Sequence, residues 1–259
     1  MPEHRPPAYT PPTAPQDEPW AEFRALTAAR IALPRAGASL ATAPQLDLRL
    51  AHARARDAVH ATLDEARLIA ELAPLGLPVL AVASAAADRT QYLMRPDLGR
   101  RLDGDADARL AAHAAGGHDV VFVIADGLSA RAVAAHARPL LEAALPRLAG
   151  WRIAPLVVVR QGRVAIGDEI ARALSADIAV VLIGERPGLS APDSMGTYLT
   201  FKPTPQTTDA DRNCISNIRP EGLAYADAAI TLVHLLRAMR ARQISGVRLK
   251  DDRLLLDGE

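Results

Sequence analysis

Cysteine is almost missing from this chain: Cys214 is the only one. No intramolecular disulfide can form, so a disulfide-stapled scaffold is excluded. Lysine is nearly as scarce. It occurs only at Lys202 and Lys250, so the other 28 of the 30 basic residues are arginine. Together with the abundance of alanine, that reads as a coding bias without functional content. Aromatic residues make up 3%, which argues against the stacking platforms that hold single-stranded nucleic acid. Neither sign of charge is in excess, with 30 basic and 30 acidic residues, which argues against a polybasic nucleic-acid or membrane-surface protein. Long apolar runs are missing too. Val120–Ala125 and Ile178–Ile183 are far too short to span a bilayer, and residues 1–19 lack a signal peptide's apolar core. The expectation is a cytoplasmic protein without nucleic-acid or membrane partners.

What is present suffices for a substantial core. The 259 residues are 49% hydrophobic, and a chain of this length buries roughly three quarters of the surface its unfolded form exposes. Residues 1–19 carry seven prolines, which disfavour helix and central strand and predict an extended or disordered arm. Residues 20–75 read as a helical region. Trp20–Ile31 opens behind Asp17, Glu18 and Pro19. A single long helix is expected over Asp47–Ala73, with Leu48, Ala51, Ala55, Val59, Leu63, Ala66, Ala70 and Ala73 spaced at the helical period.

From residue 76 the pattern changes to an α/β domain running to 259. Leu77–Ala83, Asp119–Ala125, Ile153–Arg160 and Asp177–Gly184 are short β-branched apolar runs. Helical stretches lie between them, at Asp105–Ala115, Ser129–Leu148 and Asp168–Ser175. Near-continuous apolar strands alternating with helices predict a doubly wound, mostly parallel, Rossmann-like sheet covered on both faces. Thr197–Lys202 is a candidate fifth strand. Leu223–Gln243 reads as a closing helix with Ala226, Ile230, Val233 and Arg237/Met239 flanking its stripe, and residues 246–259 as a short hairpin or tail.

Ligands of such sheets bind at the carboxyl ends of the strands. Three loops should converge there: Ala125–Ser129, where Ser129 is a candidate helix cap, Gln161–Asp168, and Gly184–Gly188. The usual phosphate-binding signatures are missing, since no G-x-G-x-x-G follows a strand and no P-loop motif occurs. None of the seven histidines forms H-E-x-x-H or pairs with cysteine at zinc spacing. His60 and Asp64, four residues apart, read as a surface pair on the long helix. Cys214 reads as a small buried hydrophobe. No serine sits in a G-x-S-x-G elbow. The stretch Glu185–Arg219 is long, polar and poor in helical period, which predicts a functional loop. With no nucleophile–base pair evident, the residues alone point to binding more than to catalysis.

Several segments resemble the small (light) subunit family of ethanolamine ammonia-lyase, an adenosylcobalamin-dependent enzyme. They are LTAARIAL at 26–33, RAGASL at 35–40, LAHARARDAVH at 50–60, VVVRQGRVAIGDE at 157–169, AVVLIGERPGL at 179–189 and ADRNCISNI at 210–218. The resemblance covers residues 20–245, and LIGERPGLSAPDS and DRNCISNI are long and specific. It implies a subunit of a lyase that converts ethanolamine to acetaldehyde and ammonia by a radical route. The large subunit, a TIM-type barrel, would hold the substrate, and this chain would clamp the cobalamin against it. It further implies a hexamer of large–small pairs, in many bacteria enclosed in a microcompartment. The family's cofactor contacts fall on Val164 of GRVA, Glu185 of GERPGL and Cys214 of R-N-CISNI. His113 precedes Ala114–Ala115–Gly116, but residue 111 is alanine, so the D-x-H-x-x-G motif that places a histidine on cobalt is incomplete. That agrees with a cofactor retaining its own base and with no catalytic or metal-ligating residue here. Two other classes stay open on the residues alone: a stand-alone corrinoid- or nucleotide-binding module, and an assembly protein using the arm and the long helix.

Overall fold

The computed structural model describes residues 20–251, and the proline-rich arm lies outside them. The chain divides between Leu50 and Ala51 into two compact units. The first holds α1 (Ala21–Ala25), a two-residue hairpin β1 (Arg35–Ala36) with β2 (Ser39–Leu40), and the start of α2 (Thr42–His60). The helix expected over Trp20–Ile31 therefore stops early. Thr27 Oγ1 accepts from the Ala29 N–H at 3.1 Å, and Arg24 donates to the Ala32 carbonyl at 2.7 Å. These local bonds replace helical ones, and Ala32 takes a left-handed φ of 44°.

The second unit contains the remaining elements. They are α3 (Glu65–Leu72), β3 (Val79–Ala83), α4 (Arg89–Met94), α5 (Ala106–Ala111), β4 (His118–Ala125), α6 (Ala130–Ala144), β5 (Leu156–Arg160), α7 (Ile166–Ala173), β6 (Ala176–Gly184), β7 (Met195–Phe201), β8 (Arg212–Ile218) and α8 (Tyr225–Arg242). The single long helix is corrected to two. Asp64 is the N-cap of α3 and its carboxylate accepts from the Arg67 N–H at 3.0 Å; a cap needs non-helical backbone, so it ends any helix running into it. The break re-phases the buried face. Leu68 and Leu72 are buried while Ala66 and Ala70 are exposed, and His60 and Asp64 do not share a helix.

The sheet order is β3-β5-β4-β6-β7-β8. The pairs among β3, β5, β4 and β6 are parallel, while β7 and β8 are antiparallel additions. The doubly wound, mostly parallel architecture is as expected. Alternate residues feed two cores. Val120, Phe122 and Ile124 pack with α3, α6 and α8, and Val121, Val123 and Ala125 pack with α5 and α7. Both faces are covered, so the strands are apolar at almost every position.

The segment Glu185–Arg219 departs from a loop: β7 and β8 occupy 14 of its residues as an antiparallel pair. β8 escapes notice because it is an edge strand. Burial along it does not follow the period of two: Arg212, Ile215 and Ile218 are buried, while Cys214, Ser216 and Asn217 are exposed. In α8 the buried face is Ala228, Ala229, Leu232, Val233, Leu235, Leu236 and Met239, and Ala226 and Ile230 are exposed instead of packed. At the C-terminal end a single 3-10 turn, Gly246–Arg248, replaces a hairpin as far as residue 251; Asn213 on β8 holds it by accepting from the Gly246 N–H at 2.7 Å and donating to the Leu249 carbonyl at 2.9 Å. Among the described residues no helix is long and apolar enough to cross a membrane.

Candidate functional site

The three loops do meet at one edge of the sheet, because β4, β5 and β6 are parallel and end together at Ala125, Arg160 and Gly184. Buried groups tie them. The Asp126 carboxylate accepts from the Gly162 N–H at 3.1 Å and lies 3.9 Å from the Arg89 guanidinium. Burial pushes this carboxyl above its ordinary range, opposed by bonds from the 161–162 backbone and the Arg89 charge. Ser129 occupies the N-cap position of α6 but does not cap it; its hydroxyl donates to the Pro192 carbonyl at 3.0 Å. The approach at Gly184 is closest of all. A Cβ there would lie 2.0 Å from the Ser129 carbonyl oxygen, so only glycine lets β6 end against this loop.

Between the loops lies a cavity of about 410 Å³. Leu128 follows β4, Arg163 and Val164 follow β5, and Ile183–Arg186 end β6. Tyr92 of α4, Tyr198 of β7 and Ser216 of β8 complete it. Val164 and Glu185, 21 positions apart in sequence, thus line one cavity. Cys214 sits beside it. It pairs with Tyr198 across the β7–β8 ladder and shares a strand face with Ser216 by the period of two, and it also lines an adjoining groove with Thr231 and Leu249. The structure corrects its setting twice: it lies in a strand, not a loop, and it is exposed.

Glu185 is anchored rather than loose. Its backbone N–H donates to the Ser194 carbonyl at 3.0 Å. Its carboxylate accepts from the Ser194 hydroxyl at 2.6 Å, the Asn217 N–H at 3.2 Å and the Ser216 hydroxyl. A carboxylate offers about four lone-pair sites, so one acceptor position remains for a ligand. Gly196 makes room for it, since a Cβ there would meet Glu185 Oε1 at 2.9 Å.

At the start of β8, Arg212 holds the buried Asp168 of α7 through two bonds of 2.7 Å and donates to Thr200 at 2.9 Å. This fork fixes the strand that carries Cys214 and Ser216. On the cavity's other side two guanidinium groups lie over the Tyr92 ring, Arg89 at 4.8 Å and Arg163 at 4.3 Å from its centroid. Its hydroxyl donates to the Gly162 carbonyl at 3.3 Å. Burial pushes this phenol up to about 12, against the two cations. Sequence reasoning overlooked Tyr92, which has no motif, and Tyr198. Arg163 and Arg186 lay inside QGRV and GERPGL and were legible only as motif letters.

The Cys214 thiol is pushed above its ordinary range, first by desolvation and then by the Glu185 charge, against a lowering bond from Tyr198. The thiolate is the nucleophile. Iodoacetamide should therefore label this exposed cysteine more slowly than a free thiol at pH 8. The midpoint of its rate–pH curve should lie above that of a free thiol, about 8.5. Since Cys214 is the only cysteine, mass spectrometry reads the extent directly; a rate matching free cysteine would reject the shift.

The donor set suits one side of a large amide-bearing ligand. Val164, Leu128 and Ile183 supply apolar contact, Glu185 one acceptor, and Arg163 and Arg186 cationic donors. Among the described residues no group of three or more His, Cys, Asp and Glu side chains is placed to hold a metal ion.

Comparison with known proteins gives a consistent result. The family described as "Ethanolamine ammonia-lyase light chain (EutC)" matches residues 17–250. The chain is 55% identical to the ethanolamine ammonia-lyase small subunit of Azotobacter vinelandii, over 91% of this chain and 89% of that protein. It is 55% identical to that of Ralstonia nicotianae, over 93% and 91%. With that of Pseudomonas aeruginosa the identity is 53%, over 96% and 93%.

Proposed function

The chain belongs to the ethanolamine ammonia-lyase light-chain family, small subunits of a lyase that works with a large-subunit partner, and from that membership we propose that its cavity holds adenosylcobalamin against the large subunit. The reaction supported is the conversion of ethanolamine to acetaldehyde and ammonia, with substrate held by the large subunit's TIM-type barrel. The assembly fitting this role is a hexamer of large–small pairs in the cytoplasm, within a microcompartment where the organism makes one. The observation that carries the reading is the meeting of Val164 and Glu185 in one cavity at the strand ends, with Cys214 beside it.

When bound, the cofactor supplies the radical through its cobalt–carbon bond. This chain's residues do the holding. Val164, with Leu128 and Ile183, presents apolar surface and keeps water from the bound face. Glu185 uses its remaining acceptor position for an N–H of the corrin's amide side chains or a ribose hydroxyl, and its three protein donors fix its rotamer beforehand, so little entropy is lost on binding. Cys214 offers a small polarisable surface on a strand pinned by Arg212.

The test is to co-express the chain with a large subunit and follow acetaldehyde release from ethanolamine. Turnover should require both adenosylcobalamin and this chain; a folded, co-purifying pair without cofactor-dependent turnover would overturn the assignment. Within that complex Glu185→Ala should weaken cofactor binding about ten- to hundred-fold, the equivalent of roughly 1–3 kcal/mol for a lost buried hydrogen bond. Unchanged affinity by equilibrium dialysis would remove Glu185 from the site. Cys214→Ser nearly keeps shape and should be milder.

A further inference from the structure

The cavity carries more positive charge than its carboxylate answers. Arg163 is half-buried, yet only one of its five guanidinium N–H donors has a hydrogen-bond partner, the Tyr92 carbonyl at 2.9 Å. Its Nε is buried without a partner. Its plane is held on the Tyr92 ring, and the Arg163 N–H is fixed to the Gly99 carbonyl at 2.7 Å. Among the described residues it has no ion pair. Arg186, exposed on the opposite lip, has none either. Glu185, the one acid of the lining, is engaged by Ser194, Ser216 and Asn217. The lining therefore has a net charge of +1, on a rigid guanidinium fork with free donors. A buried donor without a partner is unfavourable, and the remaining N–H donors of this guanidinium are open to an acceptor that arrives with the ligand.

We infer that Arg163, assisted by Arg186, is the anion-binding element of this cavity and takes the phosphodiester of the cobalamin nucleotide loop. This rests on the cobalamin reading above and extends it to a ligand group and two residues outside the family's three contacts. The chemistry is matched. The corrin's side chains are neutral amides, so the phosphodiester is the ligand's one fixed anion, and arginine binds phosphate through paired N–H donors. Arg89 also lies over the Tyr92 ring and donates to the Gly127 carbonyl at 2.7 Å, which helps hold the ring in place beside Arg163.

The experiment is equilibrium dialysis of the large–small complex against three corrinoids: cobalamin, cobinamide phosphate and cobinamide. The last lacks phosphate. Arg163→Met keeps the alkyl stem and removes the charge. It should weaken cobalamin and cobinamide phosphate about 10- to 100-fold, the range for a lost charged hydrogen bond, and leave cobinamide nearly unchanged. Arg163→Lys should restore part of the loss, since it returns charge without the fork. Arg186→Met alters an exposed side chain outside the packing, so folding is not at issue, and it should give the same selectivity at smaller size. Equal weakening of all three corrinoids would overturn the inference, because Arg163 would then serve the fold or pair with a carboxylate of the large subunit. If the unaltered complex binds none of the three, the cobalamin reading itself falls, a result distinct from equal weakening.

Discussion

Replacing Arg212 with alanine is expected to lower the unfolding free energy by about 3–5 kcal/mol, the cost of leaving one member of a buried ion pair alone. Both partners are nearly inaccessible, with side-chain exposures of 3% for Arg212 and 10% for Asp168. The geometry is bidentate, with both bonds at 2.7 Å, and Thr200 and Asp209 take further donors. The Asp168 bonds hold the guanidinium in its charged form, raising its pKa against the opposing cost of burial. Truncating the arginine removes every one of these bonds and strands the carboxylate inside the protein. A loss of this size is a large fraction of the 5–15 kcal/mol by which domains are typically stable. Urea unfolding monitored by circular dichroism gives the value from the shift in midpoint at constant slope. The control is Asp168→Asn with Arg212→Met, which removes both charges and should recover much of the loss. A change under about 1 kcal/mol in the single variant would mean that water replaces the pair cheaply, and that β8 is held by its ladder alone.

Gly184→Ala is expected to cost about 1–3 kcal/mol or more by overpacking, and to abolish cofactor retention in the assembled enzyme. The added Cβ would lie 2.0 Å from the Ser129 carbonyl oxygen and 2.8 Å from that of Asp126. Both obstacles are backbone, so no rotamer change relieves the clash. Either β6 or the 126–129 loop must move. Glu185 follows Gly184 directly and Leu128 lies in the displaced loop, so the cavity's two walls separate. A displacement of about 1 Å at a positioned site costs far more in function than in stability. Thermal unfolding and corrinoid dialysis on the same preparation read the two effects separately. A variant of normal melting temperature and normal affinity would show that the loop yields freely, against the rigid packing of this edge.

Three features of the chain explain how much could be read before folding. The parallel core was legible because both faces of β4, β5 and β6 are covered, which forces almost every residue to be apolar and leaves a signal no surface segment imitates. The long-helix reading of Asp47–Ala73 failed at Asp64, since alanine-rich spacing continues across the break while the cap depends on one carboxylate reaching one N–H. β8 was hidden because an edge strand has one wet face. Its NCISN pattern reads as polar loop until β7 is placed beside it.

The sequence alone determined the fold class, the meeting of the carboxyl-end loops, and, through GERPGL and DRNCISNI, the family. Those depend on local composition, periodicity and motif, which survive without neighbours. The tertiary structure decided the rest: that Val164 and Glu185 share a cavity, that Cys214 stands exposed on a strand, that Asp168 is the partner of Arg212, and that Arg163 is stacked with donors unused. The pairs concerned stand far apart in the chain: 21 positions for Val164 and Glu185, 44 for Asp168 and Arg212, and 71 for Tyr92 and Arg163. Such distances are fixed by the closing of the sheet and the packing of its helices, and no window along the chain contains them.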